Sequence, residues 1–361
     1  MMFTVVGAPG DRRTELFTAA CRSAGLAAPR VVGWAQVLHG GELPIVPGSL
    51  LRIDSPGGDP EVDRLLRGPG DPTRVGGGAR WYASFTAGLG RVAAAAAATA
   101  SGARLLGDVD EIAVMCDKRR CHARLRSAGV PVPEALPPVH DYADLRARMA
   151  QAGMDQVFVK PAHGSSASGV VALRAARGGR VRAVTSAART GTGLVNALRV
   201  RAYETEPEVA QLIDELAPDG LHVERWLPKA ALGGRVLDLR VVVIAGEPTH
   251  VVVRTSRSPM TNLHLGGARG SVGAVRDALG STGWERALDV CARAAACFPG
   301  SLMVGVDLLV QIGWRRVAVG EVNAFGDLLP GITGLPGTWA EGLDTYVAQV
   351  HAALAAHAVA A

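Results

Sequence analysis

The segment GVDLLVQIGWRRVAVGEVNAFGDLLPG, Gly305 to Gly331, most constrains what this chain can become. Two apolar runs flank the short turn-like GWRR, so they read as an antiparallel hairpin. Each run carries a carboxylate where a packed strand favours another Val. With a three-residue loop Gly313-Trp314-Arg315, Ile312 faces Arg316 and Asp307 faces Glu321. Glu321 and Asn323 are two apart and share a face, so Asp307, Glu321 and Asn323 converge. Like charges placed opposite each other in a sheet are destabilising, so a cation is expected between them. Three hard oxygen donors suit Mg²⁺.

The rest of the chain is α/β in pattern. FTVVG, RVVGW and SLLRID are short apolar runs ending in turn signals, with helical spacing at TELFTAACRSAG. Strand ends of this kind border ligand crevices in open sheets, which makes Asp54, Ser55, Arg80 and Trp81 candidate substrate contacts. An Ala-rich helix is expected over Leu89 to Leu106. DKRRCHARLRSAG reads as a helix capped by Asp117, DYADLRARMAQAG as another, and LDLRVVVIAGEPTHVVVRTS as a hairpin turning at AGEP. Further helices are expected from Trp284 to Phe298 and near the C-terminus. The stretch from Gly178 to Glu215 gives no clear pattern. The expected domains are 1–112, 113–220 and 221–361.

HGSSASG follows the strand VFVK directly, and its donors can close over phosphates. Ser165, Ser166 and Gly169 belong to that loop. Lys160 at the strand end is costly unless its charge meets a partner. Lysine is scarce: Lys118, Lys160 and Lys229 stand against thirty-five arginines. A chain that otherwise uses Arg retains Lys where a compact ammonium is required.

A net charge of +5 without a basic block argues against nucleic acid. The five cysteines show no metal-ligand spacing and read as reduced thiols. No segment has the length of a membrane span and the N-terminus lacks a signal-peptide pattern, so a cytoplasmic protein is expected. Oligomeric state is not legible.

Taken in order, DK, KP with its Gly/Ser loop, VERWLP, DLR, VVRTS, TNLHLGG, GVD and EVN resemble the ATP-grasp superfamily. They look most like its glutathione synthetase and ribosomal-protein-modifying (RimK-like) glutamate ligase branch, over roughly Asp117 to Gly331. The resemblance implies an α/β (α+β) ATP-grasp fold behind an N-terminal pre-ATP-grasp domain. It implies ATP with Mg²⁺ or Mn²⁺ as cofactors. Lys118 and Lys160 match the phosphate-contacting lysines. Glu224, Arg225, Trp226 and Leu227 match the strand holding adenine. Asp238 and Arg240 match the pair near ribose and phosphates, and Arg254 the arginine at the reacting phosphate. Asn262 falls in the loop on the acceptor side. Asp307, Glu321 and Asn323 match the metal ligands. The implied activity is ADP-forming carboxylate–amine ligation on small-molecule or peptide substrates, through an acylphosphate. A kinase acting on a small-molecule hydroxyl and a non-catalytic nucleotide-binding module stay open as alternatives. FGDLLPG, after EVN, departs from the glutathione synthetase pattern, so the substrate does not carry over.

Overall fold

In the computed structural model, which describes residues 1–164, 167–175, 180–191, 193–326 and 329–360, the chain begins with parallel βα units. Strand β1 (Phe3–Gly7) is buried throughout, as a strand covered on both faces must be. Asp11 accepts from Arg13 N at 2.8 Å and so caps α1 (Arg12–Ser23). Then follow β2 (Arg30–Gly33), α2 (Trp34–His39), β3 (Leu50–Ile53), α3 (Pro60–Arg67), α4 (Gly78–Ala98) and β4 (Arg104–Leu105). The strands lie in the order β2-β1-β3-β4, all parallel. The chain therefore leaves β1 toward one side and returns to it on the other. The loops after β1 and β3 flank that switch point.

The Ala-rich helix expected over Leu89 to Leu106 runs instead over α4, Gly78 to Ala98. Its start is set from far along the chain: Asp219 accepts from Gly77 N at 2.6 Å and Ala79 N at 3.2 Å. Its expected last turn is occupied by β4, which joins the parallel sheet.

Helices α5 (Val109–Met115), α6 (Lys118–Ser127) and α7 (Tyr142–Gln151) come next. Asp117 caps α6 as expected, accepting from Arg119 N at 2.9 Å. An antiparallel sheet follows, built from β5 (Gln156–Pro161), β6 (Val171–Ala175), β7 (Val181–Thr190), β8 (Gly193–Tyr203) and, after helix α8 (Glu206–Leu216), β9 (Leu221–Arg225). The order is β8-β7-β6-β5-β9. The patternless stretch from Gly178 to Glu215 is thus largely the β7–β8 hairpin and α8. Part of it is unreadable because β7 is broken by a bulge between Thr185 and Ala187, which interrupts the alternation.

The third sheet contains β10 (Ala231–Leu232), β11 (Arg235–Ile244), β12 (Glu247–Ser256), β13 (Ala268–Gly270), β14 (Met303–Val310) and β15 (Val317–Asn323). Helix α9 (Val272–Ala296) precedes β14 and bends at Gly280, where φ is 66°. It starts well before the expected Trp284, because Ser271 caps it by accepting from Ala274 N at 3.2 Å. The last helix is α10 (Thr345–Ala360). The order β13-β12-β11-β14-β15 is antiparallel, with β10 on β11. β11 and β12 turn at Ala245 and Gly246, both at positive φ, as a two-residue hairpin demands. One face of this sheet is packed by α9, with Val275, Ala287, Val290 and Cys291 against Leu239, Val241, Val306 and Leu308. Met115, Cys121 and Leu125, from α5 and α6, belong to that same core. Among the described residues no helix is long and apolar enough to cross a membrane.

Candidate active site

The hairpin that opened the sequence reading forms, but with a different turn. Gln311 N donates to Arg316 O at 2.9 Å, so the loop is 312–315, with Gly313 and Trp314 at positive φ. Val310 faces Val317 and Leu308 faces Val319, one residue out of the expected register. A bulge at Gly320 then absorbs the difference, and Asp307 faces Glu321 after all.

Because β-strand side chains alternate, one face of this sheet gathers charge. Asp238 and Arg240 are two apart on β11. Asp238 faces Arg254 of β12, and Arg240 faces Asp307 of β14. Arg254 Nε donates to Asp238 at 2.8 Å, and Arg254 Nη2 lies 3.1 Å from Asp307. Arg240 Nε donates to Asp307 at 2.5 Å and its Nη1 to Gly326 O at 3.1 Å. Burial alone would raise Asp307, yet the Arg240 and Arg254 guanidiniums bring its pKa below the ordinary value. Burial likewise opposes ionisation of Asp238, and Arg254 with Lys229 reverses it. Asn323 Nδ2 donates to Gly305 O at 3.3 Å.

Each of the three lysines meets a carboxylate here. Lys118, in the first turn of α6, lies 3.0 Å from Glu321 and donates to Gly164 O. Lys160 lies 2.6 Å from Glu224. Lys229 lies 3.1 Å from Asp238 and donates to Thr261 Oγ1 at 2.9 Å. Burial would lower the Lys160 ammonium, but Glu224 beside it raises its pKa. Glu224 is only 2% exposed; burial pushes it up, Lys160 and His222 pull it down, and it settles at about 2. Thiol chemistry is not offered by Cys116 at the same wall, since burial pushes it up to about 12.

All of these groups line one cavity of about 680 Å³ between the three sheets. It holds Lys118, Lys160, Glu224, Leu227, Asp238, Arg240, Arg254, Asn262, Asp307, Glu321 and Asn323. Phe158, Val170, Met260 and Leu309 add an apolar wall. Trp226 and Gly169 are not on the wall. The Trp226 ring packs on Phe158, with the Arg174 guanidinium over it at 4.6 Å. Gly169, at φ 68°, has no room for a side chain: a Cβ would stand 2.5 Å from Val75 Cγ1. Ser165 and Ser166 lie outside the described residues. Of the first-sheet candidates, Ser55 and Trp81 reach the wall. Asp54 is buried against Arg52 at 3.0 Å, and Arg80 is exposed.

Sequence reasoning missed three contributors. Lys229 was visible only through lysine scarcity. His163 stacks on Tyr82 of α4 at 4.1 Å between centroids, joining the first region to the loop after β5. Arg13 reaches the wall from α1 and donates to Phe325 O at 3.1 Å. No local motif marks the last two, because their partners are remote in sequence.

The oxygens of Asp307, Glu321 and Asn323 are of the hard kind that suits a divalent cation, while Asp307 is compensated by Arg240 and Arg254 and Glu321 by Lys118. The described residues contain no cluster of three His, Cys, Asp or Glu placed for a metal.

No protein-family model matches the chain, and no curated protein does. Solved structures do. The chain is similar to the ATP-grasp ligase PsnB complexed with minimal precursor, at 17% identity over 98% of each chain and a TM-score of 0.56. It is similar to the D-cycloserine synthetase DcsG at 15% identity over 99% of each chain, with a TM-score of 0.57. It is also similar to the macrocyclase MdnC bound with precursor peptide MdnA from Microcystis aeruginosa MRC, at 11% identity over 98% of this chain and 100% of that one, with a TM-score of 0.56. These likenesses extend through the first sheet, which the motifs did not cover, and the chain has the fold of the ATP-grasp ligases.

Proposed function

We propose that the protein is an ATP-dependent carboxylate–amine ligase that releases ADP and phosphate. The observation that carries this reading is the meeting of all three lysines with the Asp238, Arg240, Arg254, Asp307 row in one cavity. A transferring phosphoryl group asks for fixed positive charge around its oxygens and for little else. Lys118 and Lys160 supply it from one side, held in place by Glu321 and Glu224. Arg240 and Arg254 supply it from the other, held by Asp307 and Asp238. The apolar wall of Phe158, Val170, Met260 and Leu309 suits a nucleobase, with Leu227 at its border.

Asp307, Glu321 and Asn323 are the residues that would hold Mg²⁺. When bound, the ion would screen phosphate charge from an incoming carboxylate. In the proposed reaction an acceptor carboxylate oxygen bonds to the terminal phosphorus, and the bond to the bridging oxygen breaks, releasing ADP. An amine then bonds to the acyl carbon and loses a proton as phosphate leaves. Arg254 is placed to hold the reacting phosphoryl group. Backbone N–H groups of TNLHLGG, with Asn262 on the wall, lie toward the acceptor. PsnB and MdnC are described with precursor peptides, and DcsG as a synthetase of a small molecule. The order of motifs from Asp117 to Gly331 supports the further proposal that the chain belongs beside the RimK-like branch.

An ADP-release screen against pooled carboxylates and amines, including small peptides, tests the reading. With ¹⁸O in the acceptor carboxylate, one label must pass into the released phosphate. An amide formed with unlabelled phosphate would exclude the acylphosphate, and a phosphate ester as sole product would establish a kinase instead.

A further inference from the structure

Of the four cavity arginines that the phosphoryl-transfer scheme does not use, Arg67 pairs with Asp63 and Arg225 with Glu134, which leaves Arg13 and Arg269. Arg269 of β13 directly faces Arg254 of β12. Like charges in that position repel. Arg254 is compensated by Asp238 and Asp307. Arg269 has no such compensation. Among the described residues no carboxylate pairs with it, and its Nη1 donates only to Pro330 O at 2.9 Å. It is exposed and lines the cavity.

Arg13, from α1, is in a similar situation. It sits in the first turn of α1, where the helix dipole disfavours a cation. Its hydrogen bond goes to a carbonyl, Phe325 O. Among the described residues the one carboxylate within 4 Å of it, Asp54, is 3.9 Å away and salt-bridged to Arg52. Arg13 also stands at the point where the strand order reverses between β1 and β3, beside Ser55, Pro56 and Gly57 of the loop after β3. Ligands in open parallel sheets bind at that position. Both arginines thus grip carbonyls of one segment, Phe325 at its start and Pro330 at its end.

We propose that the acceptor carries two anionic groups. The one to be activated lies beside Arg254 and Arg269; the second is received by Arg13. The substrate class is a dicarboxylate, free or presented as an acidic side chain near a second anionic group. This rests on the ligase reading for the identity of the activated group. The second anion subsite is observable by binding alone.

The test is calorimetry with Mg²⁺ and a non-hydrolysable ATP analogue present. Succinate, glutarate and adipate are each compared with the monocarboxylate of equal chain length. At least one dicarboxylate should bind tenfold or more tighter than its match. Arg13→Gln should erase that preference, Arg13→Lys should keep part of it, and Arg269→Gln should weaken both members of the pair. Unchanged affinity for the ATP analogue certifies that each variant is folded. The proposal is overturned if no dicarboxylate outbinds its match, or if the preference survives in Arg13→Gln. Hydroxylamine trapping is run alongside. A dicarboxylate preference that depends on Arg13, with no hydroxamate formed, would leave the subsite standing and remove the ligase reading.

Discussion

Two walls of the same cavity treat positive charge differently. On the wall built by β5, β9, β11, β12 and β14, every described lysine and arginine of the row has a carboxylate within 3.1 Å. On the other wall, to which α1 and the edge strand β13 contribute, Arg13 and Arg269 hold the backbone carbonyls of Phe325 and Pro330 instead. The paired wall fixes its cations before any ligand arrives, as stabilisation of developing phosphoryl charge requires. The other wall leaves Arg269 with no carboxylate among the described residues and Arg13 with only the more distant Asp54, at 3.9 Å. Pairing marks where charge is a fixed tool, and its absence marks where charge recognises.

The comparison breaks most visibly if a paired carboxylate is removed. Asp307→Ala and Glu321→Ala should each abolish Mg²⁺-dependent ATP turnover while the circular dichroism spectrum stays native. Parental turnover in either variant would withdraw the metal assignment. Asp238→Ala strands the buried Lys229 and leaves Arg254 with Asp307 alone. Loss of one partner from a buried pair costs roughly 3–5 kcal/mol, so its denaturation midpoint should fall well below the parent's. A midpoint within error of the parent would show the row to be solvated.

Lys160→Ala should weaken nucleotide binding by about 1.5–3 kcal/mol, the range for a hydrogen bond to a charged group, read by calorimetry. Lys160→Arg should recover only part, since a planar guanidinium cannot repeat the ammonium's contact.

Acid sharpens the same pair. The folded pKa of Glu224, about 2, lies below its ordinary 4.5. A depressed carboxylate contributes stability above its unfolded pKa and loses it as pH falls through the folded one. Stability measured from pH 5 down to pH 2 should therefore decline more steeply for the parent than for Glu224→Gln. Parallel curves would remove Glu224 from the account. The smallest effect belongs to the other wall. Arg269→Gln should shift stability by no more than about 0.5 kcal/mol, as for an exposed surface change. A larger loss would mean that Arg269 is paired after all.

Much of the paired wall was legible in the sequence because it is local. Asp238 and Arg240, or Glu321 and Asn323, are two apart, and period two alone puts them on one face. The facing of Asp307 and Glu321 was reached through a wrong turn: a four-residue loop and the Gly320 bulge offset each other. A single sequence does not show a bulge, since Gly320 is as compatible with a regular strand position. The other wall was less legible. Arg13 and Phe325 are 312 residues apart, and Asp219 caps α4 from 140 residues away. Those meetings depend on how three sheets are arranged in space, for which hydrophobic period carries no information. The side chain of Trp226, whose match rested largely on its backbone, is off the wall: its ring turns to Phe158 and Arg174, while its neighbour Leu227 reaches the cavity.

The confinement of lysine has a consequence for covalent chemistry. The side chains of Lys118, Lys160 and Lys229 are only 10%, 13% and 8% exposed, and all three open on the cavity. An acylating or aldehyde reagent therefore finds no lysine amine on the outer surface, where cationic character is carried by arginine, to which it is inert. Apart from the α-amine of the exposed Met1, such a reagent meets only the amines of the cavity, its rate there set by entry and by freeing an ammonium from its carboxylate. Occupancy of the cavity can then be followed as protection from acylation.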